Sequence, residues 1–239
     1  MPRATADKHR PEPAEAPEAD PDTREKLKRH ARRLFGDRGI DNVSMRDIVL
    51  AAGQRNVGAI GYYFGSKDAL VREILVEGGA LVDRLRNTML DELEARRGDA
   101  LTVRDLMWVI VRSTTEAQDE QGEHTCVRVF ATVHRHNHAL FVEVLGHGLD
   151  LGLRRCIAHL RRLLPAHSHA VLNERIRLML LLMGAALSLR EAALEQADAK
   201  GPPGAMRLDD LIDACEGLVG QPASAAGSSR QTARASQKG

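Results

Sequence analysis

The stretch ARRLFGDRGIDNVSMRDIVLAAGQRNVGAIGYYFGSKDAL, residues 31–70, decides how the chain is read. Ser44 with Asp47 three residues on is a capping-box pattern, S-x-x-D, and Met45, Ile48, Val49 and Ala52 follow at helical spacing. They predict a helix that ends at Gly53. Asn56 can cap a third, very short helix from about Val57 to Tyr63, with Ile60 and Phe64 pointing inward one turn apart. Upstream, Leu27, Ala31, Leu34 and Phe35 form one apolar stripe of a first helix that runs from an N-cap at Thr23 to Arg38 and stops at Gly39. Three short helices with a glycine turn between the second and third is helix-turn-helix anatomy.

Working outward, Gly65-Ser66-Lys67-Asp68 makes a turn with a new N-cap at Ser66, from which a long helix continues to about Arg97, with Gly78-Gly79 as the place for a bend. Further helical patterns cover about Leu101–Gln118, Cys126–His134, Ala139–Leu164 with a break near Gly146, His169–Gln196 and Leu208–Val219. Aromatic residues make up only 3% of the chain while Leu, Ala and Arg abound, which favours helix over strand. The expectation is an all-α protein. Residues 1–22, with PEPAEAPEADPD, read as a disordered arm and 221–239 as a disordered tail, because neither can bury apolar surface. Residues 23–70 read as the helix-turn-helix domain, and 71–220 as a larger helical domain.

The formal net charge of +1 hides an uneven distribution. Residues 23–70 hold ten Lys and Arg against five Asp and Glu, whereas residues 71–220 hold eighteen against twenty-two. A basic patch on an acidic body points to a polyanionic partner. Cys126, Cys156 and Cys215 are an odd, widely spaced set and the N-terminus lacks the apolar core of a secretory signal, so a reducing cytoplasm is expected. The longest apolar run, Leu178–Leu187, has ten residues between Arg177 and Arg190, well short of the roughly 20 that span a bilayer, so no membrane is expected.

Residues 31–70 resemble the DNA-binding domain of the tetracycline-repressor (TetR) family of bacterial transcription regulators. The resemblance rests on Leu34-Phe35, Gly39, Ser44, Ile48, the Ala-Ala-Gly turn ending at Gly53, Phe64, Lys67 and Leu70. It departs from the family pattern at two points: the turn Gly53–Val57 is one residue longer, and Gly61 stands where many members have a phosphate-contacting tyrosine, with Tyr62 and Tyr63 beside it. The resemblance implies a homodimeric repressor that binds a double-stranded operator and is released by a small-molecule effector, with no enzymatic activity and no cofactor.

A recognition helix must bring its backbone close to the DNA, so small residues such as Gly58, Ala59 and Gly61 permit approach while Arg55 and Asn56 reach base edges. Tyr62 and Tyr63 can donate to phosphates, and Lys67 beside the next helix start makes an anion site. The expected DNA contacts are Ser44, Arg46, Arg55, Asn56, Ala59, Gly61, Tyr62, Tyr63 and Lys67.

In the larger domain, Met107, Trp108, Phe130, Phe141, Met179 and Met183 are candidate walls of an effector cavity, although any helical core contains such residues. The run LMLLLMGAALSL, residues 178–189, is apolar nearly all round, which suits a helix shared between its own core and a dimer partner, with Gly184-Ala185-Ala186 allowing close approach; the helices His169–Gln196 and Leu208–Val219 are together expected to form the dimer interface. His124, His134, His136 and His138 supply a rival reading as a metal-binding protein or enzyme. It is disfavoured because alternate residues of a helix face different ways and no H-E-x-x-H, Walker loop or G-x-S-x-G is present. No metal site is expected.

Overall fold

Helix α1 (Pro21–Arg38) begins two residues before the expected N-cap, so Thr23 lies inside its first turn. Proline suits the first helical position, where an N–H would find no intrahelical acceptor, and Asp22 favours the positive end of the helix dipole. The computed structural model describes residues 21–54, 58–117, 126–146, 148–195 and 206–222; of Pro21, residues 58–60 and Glu195 only the backbone is described. Among these residues the secondary structure is helical throughout. α2 (Met45–Ala51), α3 (Gly58–Phe64) and α4 (Lys67–Arg97) follow α1, and a single 3-10 turn at Gly98–Ala100 leads to α5 (Val103–Glu116). α6 (Cys126–His136), α7 (His138–Gly146), α8 (Leu151–Leu163), α9 (His169–Glu195) and α10 (Leu208–Gly220) complete the chain. The proposed disordered arm and tail lie almost wholly outside the described residues.

Two apolar cores share the long helix α4. The first gathers Leu27, Ala31 and Phe35 of α1, Ile48 and Val49 of α2, Phe64 of α3 and Leu70, Ile74 and Leu75 of α4. Val129 and Val133 of α6 and Val144 of α7 pack into the same core, so the head formed by α1–α3 is seated on the body rather than closed by itself. The second core fills the body with Leu90 of α4, Leu106, Met107 and Ile110 of α5, Cys156 and Leu160 of α8, and Leu211, Ile212 and Cys215 of α10. α9 contributes Leu172, Ile176, Met179, Met183 and Leu187, spaced along one face.

Gly78 and Gly79 do not interrupt α4, which is continuous over 31 residues. Their role is contact. A Cβ on Gly78 would stand 2.7 Å from the Cys126 sulfur, and one on Gly79 would stand 2.6 Å from a Leu145 methyl. The glycine pair therefore lets α6 and α7 lie directly on α4.

Polar seams tie head to body. Lys28, nearly buried, meets Glu25 and Glu77 at 2.6 Å and Glu73 at 3.2 Å, and the Arg24 guanidinium pairs with Glu73. Burial alone would raise the Glu73 pKa, but hydrogen bonds from Arg24 and Lys28 outweigh it and hold the carboxyl below its usual range. On the other side of the head, the Arg128 guanidinium of α6, itself buried, pairs with Asp37 of α1 at 2.5 Å and with Glu191 of α9 at 3.4 Å.

Candidate DNA-binding face

Short helices need termini that satisfy their loose amides, and the head supplies them locally. The Ser44 hydroxyl accepts from the Asp47 amide at 3.2 Å and donates to the Asp47 carboxylate at 2.6 Å, while the Ser44 amide donates to that carboxylate at 2.8 Å. Those bonds from Ser44 hold the Asp47 carboxyl below its usual range. At the other end of α2, Gly53 takes φ +70 and the chain turns with Gln54 N–H donating to Val49 carbonyl and Gly53 N–H to Leu50 carbonyl, each at 3.0 Å. This double bond pattern with a left-handed residue between is a Schellman turn, for which a side chain is a strain. α3 follows after residues 55–57.

The burial pattern turns one face outward. Ile48, Val49 and Phe64 are buried, while Ser44, Arg46, Leu50, Gly61 and Tyr62 are exposed. Nothing lies within 4 Å of where a Gly61 Cβ would be, so that flank of α3 is open to a large partner. The two tyrosines divide. Tyr62 stands in solvent, whereas Tyr63 packs against the head core, edge-on to Tyr62 with ring centroids 5.5 Å apart and tilted against Phe64. Arg55 and Asn56 lie outside the described residues, as does the side chain of Ala59.

Lys67 also has a role inside the head. It is half-buried, and its ammonium donates to the carbonyls of Ile40 at 3.0 Å and Val43 at 3.2 Å. It clasps the α1–α2 connection to the start of α4, leaving one N–H for an anion. Ser66 caps α4, its hydroxyl accepting from Ala69 at 3.0 Å. Sequence spacing shows the cap, because its partner is three residues away; the Lys67 clasp joins residues 24 and 27 positions apart and has no local signature.

The six candidate cavity residues are not brought to one place. Met107, Met179 and Met183 are buried in the body core with Trp108 against it, whereas Phe130 and Phe141 pack edge-on to each other beside the head core. Between α4, α5 and α6, Phe130, Gly78 and Thr114 line a cavity of only about 10 Å³, room for about one water. The three methionines pack into the body core, where flexible thioethers fill irregular gaps between helices. Among the described residues no three His, Cys, Asp or Glu side chains gather as a metal site. The rings of His134 and His138 lie 5.0 Å apart with Phe141 at 4.8 Å from His134, an aromatic stack, and His124 lies outside the described residues.

The comparisons agree with this geometry. Residues 29–74 match the model of the family described as bacterial regulatory proteins, tetR family. The head belongs to the tetR family. It is the DNA-binding domain of a transcription regulator, and the rest of the chain adopts the fold of such regulators. A crystal structure of a probable transcriptional regulatory protein, RHA5900, superposes with a TM-score of 0.52 at 17% identity, covering 84% of this chain and 99% of that one. The fatty acid degradation regulator FadR from Bacillus halodurans superposes with the same TM-score and identity, over 83% of this chain and 95% of that one. No curated protein matches the sequence.

The dimer expectation centred on α9 gains a specific surface. Leu178, Leu182, Ala185 and Leu189 are exposed in one stripe, opposite the face that fills the body core. Of the three small residues, only Ala185 lies in it: Gly184 faces Ala131 of α6, 3.5 Å from its would-be Cβ, and Ala186 packs on the body core. No disulfide joins the described cysteines, and burial pushes the Cys156 and Cys215 thiols up to about 11, so neither is a ready nucleophile. No described helix is long and apolar enough to cross a membrane.

Proposed function

We propose that this protein is a cytoplasmic, homodimeric repressor that acts by binding rather than catalysis and leaves its operator when a small molecule binds the body. The observation that carries the DNA part is the exposed face of α2 and α3, where Arg46, Gly61 and Tyr62 stand outward on a frame capped by Ser44 and Asp47. The proposed contacts are base readout by Arg55 and Asn56, close approach at Ala59 and Gly61, and phosphate contacts by Ser44, Arg46, Tyr62 and the remaining N–H of Lys67, with Tyr63 supporting Tyr62 from behind. Two such heads occupy half-sites about 34–36 Å apart when the dimer holds them at that separation.

Supporting the dimer is the leucine stripe of α9, since four apolar positions in line are costly to leave in water. Supporting control by the body is the seating of the head: α1 reaches α6 and α9 through Arg128, and α4 runs from the head into the body core. Selection of bound fragments from sheared genomic DNA tests the reading. A recovered two-half-site sequence whose affinity falls steeply with salt supports it; uniform retention of all fragments, or none, overturns it.

A further inference from the structure

Beside the Arg128 junction a groove of about 820 Å³ opens between α1, α6 and α9. Its two walls differ in chemistry. One carries Arg33, Arg128 and Arg135 against a single carboxylate, Asp37; the other is apolar, with Leu180, Leu181 and Leu189. Arg33 has no ion-pair partner among the described residues and Arg135 bonds only to the neighbouring His136, at 3.0 Å. Arg128 is nine-tenths buried and already paired with Asp37 and Glu191, so the positive charge that this wall offers to a ligand rests on Arg33 and Arg135. Burial, with His138 and Arg177 near, holds His134 below the usual imidazole range, so this fourth basic side chain of the groove is neutral at pH 7.

We propose that this groove binds an amphipathic organic anion, with a sulfonate or carboxylate head on Arg33 and Arg135 and an apolar body along the leucines of α9. The volume lies within the range of small-molecule sites, about 300–1,000 Å³. A guanidinium pair matches a planar or tetrahedral oxyanion, and an apolar ligand body lies against the half-buried Leu180 and Leu181. A wholly apolar ligand would leave the arginines idle, and a small inorganic anion would leave the leucine wall wet. The site is separate from the closed gap between α4, α5 and α6. It rests on the effector-controlled reading only for its consequence, because it lies where Arg128 joins head to body.

The test is a fluorescence titration of the full chain without DNA, using anilinonaphthalenesulfonate and its uncharged analogue phenylnaphthylamine. The expected result is saturation at one sulfonate per protomer, with affinity about tenfold above that of the uncharged analogue, about 1.4 kcal/mol. Arg33→Glu with Arg135→Glu, both at exposed positions, should remove that tenfold preference and leave phenylnaphthylamine binding unchanged; Ser188→Trp, inside the groove, should weaken both. Equal affinity for the two probes, multiple weak sites, or sulfonate binding indifferent to the arginine changes overturns the proposal. So does a change in sedimentation, rather than in probe affinity, on replacing the arginines, which would assign the groove to a second copy of the chain. Because no DNA is present, failure here leaves the operator reading standing, and failure of operator selection leaves this site standing.

Discussion

On the head, Arg46, Gly61 and Tyr62 stand exposed above Ile48, Val49 and Phe64; along α9, Leu178, Leu182, Ala185 and Leu189 stand exposed above Met179, Met183 and Leu187. Both are helical surfaces backed by a core, yet one turns small and polar groups outward and the other turns leucines outward. A partner that is itself hydrated and charged rewards the first arrangement, and a partner that can exclude water rewards the second. The contrast supports the proposal of DNA for one face and a second protein surface for the other.

Removing the support of one face while leaving the other should separate the two roles. Phe35→Ala empties a fully buried position of the head core and should cost about 3–5 kcal/mol. Operator binding is expected to disappear, while sedimentation still shows the dimer; loss of both together would mean that head and body are one cooperative unit. Ala185→Glu attacks the other face, placing an unpaired carboxylate in the proposed interface at a cost of about 3 kcal/mol or more. The variant should sediment as a folded monomer at micromolar concentration and lose two-half-site binding. A persisting dimer would move the interface off α9.

Smaller effects sharpen the distinction between framing residues and contacting ones within the head. Lys67→Ala releases two loop carbonyls and should lower stability by about 1–2 kcal/mol as well as weaken DNA binding across all sequences. Arg46→Ala, exposed and framing nothing, should leave the melting temperature in place and reduce the salt slope by about one unit. If Lys67→Ala leaves the melting temperature unchanged, the clasp is of no consequence and the residue is a phosphate contact alone. Ser44→Ala removes the cap of α2 and should cost about 1 kcal/mol, read as a shift in denaturant midpoint.

The smallest effect lies at the junction between the regions. His134 takes up a proton less readily in the folded chain than in the unfolded one, because burial disfavours its charged form. Its contribution to stability is therefore level above the unfolded value of about 6.5 and falls as the pH drops below it, where the unfolded chain takes the proton first. Denaturant midpoints measured at about pH 7.5 and about pH 5.5 should differ less in His134→Gln than in the parent; an equal difference would show that other groups carry the acid sensitivity.

What the sequence by itself determined is what a few neighbouring residues settle: the Ser44–Asp47 box, the glycine turn at Gly53, the Ser66 cap, the apolar stripes of α1 and α2, and the match of residues 29–74 to a known family. Each depends on partners three to five positions apart, so spacing and residue type suffice. The tertiary structure decided the rest. α9 is apolar nearly all round, so periodicity could not say which leucines face the body and which face out; the packing of α6 and α10 made that choice. Gly78 and Gly79 are contact points for α6 and α7, which no local spacing announces. The packing of the methionines into the body core, the bonds from Lys67 to Ile40 and Val43, and the groove beside Arg128 all depend on residues distant in sequence, in the groove as far apart as 33 and 192. Such pairings depend on how helices dock, and docking is a property of whole surfaces that no short stretch of chain contains.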